Sequence, residues 1–197
     1  MNEGLTAGGS ADALEVARRA VSALETELRA TVVRLVAAGA HDEALGELVT
    51  GRRVFGWGRG PVIRPVGRAW RVGVLLLDRE GRLYRVGEVT RAVEPGRAAV
   101  NRSPAGEARR ELRRIASRSP FPPGEAINLG WQPLDTAAES LASAAGEAPG
   151  PDAGAVRLEC RDGVVMLRWD SAPGALGVAP LARYLHDRVE LLLDGDR

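Results

Sequence analysis

Residues able to act as nucleophiles, general bases or metal ligands are few and scattered in this chain. It has one cysteine, Cys160, and two histidines, His41 and His186. Cys160 falls on the apolar face of a predicted hairpin without a nucleophile elbow, which is typical of an inert buried thiol. His186 lies off the apolar stripe of its predicted helix, and His41 lies between two predicted helices. Without clustered ligands we expect no metal site and no cofactor.

Glu88 is the single candidate for a catalytic residue. In the register inferred below it falls on the core face of a strand, opposite Val72. A buried carboxylate has a perturbed pKa and can act as a general acid or base. The alternatives are a position at the end of the sheet or pairing with an arginine.

All 27 basic residues are arginines, and they are unevenly distributed. The absence of lysine excludes a Schiff base, a P-loop lysine and a Ser-x-x-Lys nucleophile. Residues 51–118 carry 17 arginines and 6 acidic residues, although the whole chain has a net charge of +1. Such a basic segment can meet nucleic acid, a phosphorylated ligand or the acidic ends of its own chain.

A predicted helix over residues 104–118 offers one anion-binding arrangement. Ser103 is the expected N-cap, and Pro104 occupies the first turn, where its missing N–H costs nothing. The positive end of the helix dipole favours an anion there. The predicted anion-binding residues are Arg97, Asn101, Arg102, Ser103, Arg110 and Arg114. The alternative is an ordinary solvated helix face, on which Glu107 and Glu111 pair with the arginines.

The segment 51–68 combines arginine and glycine with two aromatic residues. Phe55 and Trp57 could stack on nucleic-acid bases while neighbouring arginines contact phosphates. Packing of both rings under a hairpin is the alternative. The alternating glycines of this segment precede a strand and do not link a strand to a helix, so they are not a dinucleotide-binding motif.

The helices and strands predicted from the sequence indicate an α+β fold. We expect a long N-terminal helix from Asp12, a shorter helix over about 42–49, a strand at 126–131 and a final helix opened by Pro180. Together with two hairpins, these give one mostly antiparallel sheet of about five strands packed by helices. The apolar seam of the long helix packs on its own sheet or, alternatively, forms a homodimer. The seam residues are Leu14, Ala17, Val21, Leu24, Leu28, Thr31 and Leu35.

Two turns fix the expected hairpin registers. Residues 78–81 read as a type I turn closed by a left-handed glycine, which pairs Leu77 with Leu83. Asp162-Gly163 reads as a two-residue type I′ turn. The first core face is then Trp70, Val72, Val74, Leu76, Tyr84 and Val86. The second is Val156, Leu158, Cys160, Val165, Leu167 and Trp169.

Composition divides the chain into a disordered tail (1–11), N-terminal helices (12–50) and an α+β domain (51–197). Residues 136–154 are small and acidic, and predict a flexible loop within that domain. Neither a signal peptide nor an apolar stretch of roughly 18 residues is visible. A single cysteine fits a reducing compartment, so we expect a cytoplasmic protein without membrane contact.

Parts of the chain resemble a family of small uncharacterised actinobacterial proteins. The similarity covers roughly residues 52–193 and is carried by RAWRVGVLLLDREGRLYRVGEVTRAVEPGR, EARREL, LGWQPLD, VVMLRW and LARYLHDRVELLL. Some members are labelled glutaminase. Serine glutaminases need Ser-x-x-Lys, and cysteine glutaminases need an elbow-borne cysteine with a histidine partner. Neither arrangement occurs in this sequence.

The sequence therefore favours a non-catalytic binding module whose arginine-rich surface faces an anionic partner, with nucleic acid as one possibility. The alternatives are a small enzyme acting on an anionic molecule, with Glu88 as acid or base, and a structural homodimer built on the N-terminal helix.

Overall fold

The computed structural model describes residues 4–50, 60–96, 103–144, 156–172 and 175–195. These residues form an α+β fold with helices α1 (Gly4–Ala37), α2 (Pro104–Ser117), α3 (Ala138–Ala144) and α4 (Leu181–Gly195). The strands are β1 (Glu43–Val49), β2 (Val62–Val72), β3 (Leu75–Leu77), β4 (Leu83–Arg85), β5 (Glu88–Arg91), β6 (Ala126–Leu129), β7 (Gln132–Pro133), β8 (Arg157–Arg161), β9 (Val164–Ala172) and β10 (Ala175–Pro180).

The described strands form two sheets, not one sheet of about five strands. A seven-stranded sheet has the order β5-β6-β1-β2-β3-β4-β7, and a three-stranded sheet has the order β10-β9-β8. The larger sheet is mixed, because β1 pairs with β6 in parallel. The smaller sheet is antiparallel throughout. The count was too low because β1, β7 and β10 were not predicted, and because each strand of the first predicted hairpin is divided in two, into β2 and β3 and into β4 and β5.

The chain divides into two compact units. Unit 1 comprises residues 1–40, 72–85 and 133–197, and unit 2 comprises residues 41–71 and 86–132. Unit 2 contains 14 arginines and 8 acidic residues, a formal net charge of +6. Unit 1 has a formal net charge of −5.

In unit 1, α1 contributes its predicted seam to the core. Ala17, Leu24, Leu28, Thr31 and Leu35 are buried, and the helix contacts α3, α4 and β9. This confirms packing of the seam within its own domain. The helix begins at Gly4 and so continues through most of the expected tail. Asp12, the predicted start, lies inside the helix, where an aspartate costs only a fraction of a kcal/mol.

The first hairpin of unit 1 has the predicted turn but shorter strands. Gly81 is left-handed with φ of 82°, its N–H donates to Asp78 O, and Leu77 pairs with Leu83. A second left-handed glycine, Gly73 with φ of 69°, separates β2 from β3. Trp70, Val72, Leu76 and Tyr84 of the predicted core face are buried. Leu75 and Leu77 on the opposite face are buried as well, so β3 is buried along its whole length.

The second hairpin confirms its predicted register. Asp162 and Gly163 have φ of 51° and 75°, as a type I′ turn requires. Leu158 pairs with Leu167 and Cys160 with Val165, and all four side chains are buried. A buried residue on the opposite face was not predicted. Glu159 is 2% exposed and accepts hydrogen bonds from Arg161 (3.0 Å) and Arg168 (3.2 Å).

Two further elements of unit 1 differ in part from the prediction. The expected loop 136–154 contains α3, whose Ala138 and Leu141 are buried; residues 145–154 lie outside the described residues. The final helix begins at Leu181, one residue after Pro180, and buries Leu181, Leu185 and Val189. No helix in the described part of the chain is both long and apolar enough to cross a membrane.

In unit 2 the predicted helix over 42–49 is wrong, because this segment is strand β1. It pairs antiparallel with β2 and parallel with β6. Its glutamate, alanine and leucine residues favour helix only weakly, and long-range pairing overrides such preferences. Gly46 fits this packing, since a Cβ there would lie 2.6 Å from Ile63 Cγ2 and 2.8 Å from Ile127 Cγ2.

Candidate anion-binding surface of unit 2

Helix α2 is anchored to the sheet of unit 2 by its last turns. Ile115 and Ala116 are buried in a core shared with the strands, and the helix contacts β5. Residues 103–109 are exposed. This half of the helix therefore presents its side chains to solvent.

The predicted N-cap of α2 is confirmed. The Ser103 side chain accepts a hydrogen bond from Gly106 N–H at 3.1 Å, and Pro104 occupies the first turn. The hydroxyl oxygen of Ser103 thus satisfies one of the helix's own open N–H groups. Ser103 therefore caps the helix.

The arginines on strand β2 are paired with carboxylates of unit 2. Arg64 contacts Glu47 at 2.6 Å. Arg68 lies between Asp42 at 2.5 Å and Glu125 at 2.9 Å. Burial opposes the charge of Arg68, but hydrogen bonds and charge from these two carboxylates outweigh it and raise its pKa. The charges of these two strand arginines are therefore neutralised by carboxylates of the same chain.

A third strand arginine belongs to a closed network that the sequence did not reveal. Arg71 Nε donates to Glu43 Oε2 at 3.1 Å, and an Arg71 terminal nitrogen donates to Asn128 Oδ1. Asn128 Nδ2 in turn donates to Glu43 Oε2 at 2.7 Å. Asn128 is fully buried, so each of its polar atoms needs such a partner. The only sequence signal was an asparagine inside an apolar strand.

The arginines of α2 are in a different situation. The side chains of Arg109, Arg113 and Arg118 are exposed and make no hydrogen bond or ion pair within the described part of the chain. Arg110 donates to the backbone oxygen of Gly96. Arg114 pairs with Glu111. Of the predicted anion-binding residues on this helix, Arg110 and Arg114 thus have partners within the chain, while their neighbours do not.

Glu88, the single catalytic candidate, is exposed, so its predicted place on the core face is wrong. Strand β5 does not continue the first hairpin. It pairs with β6, with Glu88 opposite Leu129, and lies at the edge of the sheet. The break comes at Gly87, where a Cβ would lie 2.1 Å from the Leu129 carbonyl oxygen.

The other chemical candidates are not brought together. Cys160 is buried, and the exposed His186 lies 3.8 Å from Glu190. Searching the described ranges gives no group of histidine, cysteine and carboxylate residues able to hold a metal. Five predicted site residues lie outside the described residues: Phe55, Trp57, Arg97, Asn101 and Arg102.

Comparisons with known proteins gave no match to a family model, a curated protein or a solved structure. The resemblance to the actinobacterial family stays a prediction.

Proposed function

We propose that this protein is a non-catalytic binding module that contacts an anionic partner through helix α2. One observation carries the proposal. The arginines of strand β2 are matched to carboxylates, whereas the side chains of Arg109, Arg113 and Arg118, on or next to α2, are exposed and have no partner among the described residues. Unit 2 also keeps a formal net charge of +6.

The arrangement of these arginines favours an external anion. Arg109 and Arg113 are four residues apart, as are Arg110 and Arg114. Like charges at this spacing oppose each other and weaken a helix by roughly 0.2–0.5 kcal/mol per pair. A bound phosphate or carboxylate relieves this repulsion. The planar guanidinium group also matches the oxygens of such anions in a two-point contact.

The alternative of a small enzyme using Glu88 has less support. A pocket that held Glu88 together with arginines would favour catalysis. Glu88 is instead exposed at a sheet edge, and it does not line any of three clefts found among the described residues.

The proposal is tested by reversing the two unpartnered helix arginines, in the variant Arg109→Glu/Arg113→Glu. Binding is measured by fluorescence anisotropy with labelled single-stranded DNA, double-stranded DNA and heparin at about 50 mM salt. We expect wild type to bind at least one of these polyanions and the variant to lose about tenfold or more in affinity, since each lost phosphate contact removes counterion release.

The matched control is Arg19→Glu/Arg183→Glu. Both arginines lie in unit 1 and are 74% and 80% exposed, so the change in net charge is the same. This control should retain most of the affinity. Equal losses in the two variants would mean that only total charge matters, and absence of binding to all three polyanions would contradict the proposal.

A further inference from the structure

A cleft in unit 1 offers a second site, separate from helix α2. Its volume is about 410 Å³, and it is formed by α1, the turn between β3 and β4, strand β4 and the segment 133–136. This volume lies within the range of small-molecule sites, roughly 300–1,000 Å³. Its floor is apolar and includes Leu28, Leu83 and Leu134. Leu28 and Leu83 are at most 5% exposed.

One wall of the cleft is held rigid by hydrogen bonds. The buried Asp78 carboxylate accepts from the backbone N–H groups of Glu80 (3.0 Å) and Arg82 (2.8 Å). It also accepts from Arg82 Nε at 2.7 Å and from the Tyr84 hydroxyl at 2.6 Å. Four donors satisfy both carboxylate oxygens, so the turn and the Tyr84 ring that line the cleft are fixed before any ligand arrives.

The rim of the cleft carries both signs of charge. Glu25 and Arg29 come from α1, and Glu80 and Arg82 come from the turn. Arg29 is loosely held, because its contacts are 3.9 Å to Glu25 and 3.4 Å to the Thr26 hydroxyl. Its side chain is 68% exposed. Arg29 can therefore turn towards a ligand at little cost, whereas Arg82 is already fixed by Asp78.

We infer that this cleft binds a small zwitterion with an apolar body, of the kind represented by an amino acid with an aliphatic side chain. The carboxylate is held by Arg29, and the ammonium group lies beside Glu25, because Glu80 is already paired with Arg82 at 3.1 Å. The aliphatic part covers the leucines of the floor. A ligand with only a carboxylate draws Arg29 away from Glu25 and leaves that glutamate without a partner, whereas a zwitterion also offers Glu25 an ammonium group.

The inference is tested with L-leucine as the probe. Binding to the full chain is followed by chemical-shift changes in two-dimensional NMR spectra. Because the site is open and the ligand small, we expect saturable binding with a dissociation constant of about 1 mM. Three analogues remove one feature each: 4-methylpentanoate lacks the ammonium group, leucinamide lacks the carboxylate, and asparagine replaces the apolar body with an amide. Each should bind about fivefold or more weakly.

The variant Arg29→Ala should weaken leucine binding about tenfold, whereas Arg19→Ala should leave it unchanged. Arg19 lies on the same helix, is also paired at i,i+4 and does not line the cleft. Both positions are exposed, so neither substitution should unfold the protein. Absence of saturable shifts with leucine, 4-methylpentanoate binding as well as leucine, or unchanged binding in Arg29→Ala would each overturn the inference. None of these results bears on polyanion binding by α2.

Discussion

Asp78 illustrates how a buried charge is accommodated within unit 1. Burial alone would raise the pKa of its carboxyl group, but hydrogen bonds from Tyr84 and from Arg82, together with the charge of Arg82, outweigh burial and lower it. The same contact acts in the opposite sense on the phenol. Burial and the hydrogen bond to Asp78 raise the pKa of Tyr84 to about 12.

A first prediction concerns the pH dependence that follows from Tyr84. Its pKa is higher in the folded chain than the ordinary value of 10.0, so the neutral phenol stabilises the fold. This contribution is complete below pH 10 and is lost as the pH rises from about 10 to about 12. The measurement is ultraviolet absorbance against pH, taken as the difference between wild type and Tyr84→Phe. The difference should have its midpoint near pH 12; a midpoint near pH 10 would show that the phenol is not held by Asp78.

A second prediction at the residue scale concerns Gly87. A Cβ at this position would lie 2.1 Å from the Leu129 oxygen and 2.6 Å from the Gly130 carbonyl carbon. Both atoms belong to the backbone, which cannot rotate away. Gly87→Ala should lower the free energy of unfolding by about 1–3 kcal/mol, measured by urea denaturation. Gly60→Ala is the control in the same unit, because a Cβ there meets nothing within 4 Å. Equal stabilities of the two variants would refute this packing.

At the scale of elements, the sequence predicted the structure correctly where residues close together in the chain determine it. Asp162-Gly163 specifies its own turn, and that turn fixes the pairing of Leu158 with Leu167. The cap of α2 at Ser103 is equally local. Strand β1 is different, because its pairing with β2 and β6 depends on residues distant in sequence. A helix-like pattern could not reveal that pairing.

The second hairpin gives the prediction at this scale. Leu158 is 6% exposed and lies opposite the fully buried Leu167. Leu158→Ala removes buried methyl groups and leaves a cavity, so it should cost about 2–5 kcal/mol of unfolding free energy. Val164→Ala serves as the control, because Val164 is 43% exposed in the adjoining strand. Calorimetry should show a clear loss of melting temperature for Leu158→Ala alone, and an unchanged value would mean that the register is wrong.

Helix α2 likewise depends partly on neighbouring residues and partly on residues distant in sequence. Its start, its arginines and its pairing of Arg114 with Glu111 all follow from residues within a few positions of one another. What anchors it to the sheet is a set of apolar residues from β1, β2 and β6. The sequence therefore predicted the helix itself, and tertiary packing decided which of its faces stays exposed.

At the scale of the whole molecule, the distribution of charge along the chain could be predicted from the sequence, but the pairing of individual arginines could not. A count of residues located the basic segment. It could not say which arginines are neutralised, since Arg68 meets Asp42 and Glu125, which are far from it in sequence. The structure separates these strand arginines from the unpartnered arginines of α2. Glu88 was misplaced for a related reason, because the pairing of β5 with β6 is also long-range.

The central claim is that the unpartnered arginines of α2 bind an anionic partner. It is tested most directly by the salt dependence of the affinity of wild-type protein for single-stranded DNA. If Arg109, Arg113 and Arg118 each contact one phosphate, a plot of log affinity against log salt concentration should have a slope of about −2. In Arg109→Glu/Arg113→Glu the slope should become shallower by at least about 1. Binding that does not change with salt, or the same slope in wild type and variant, would contradict the account.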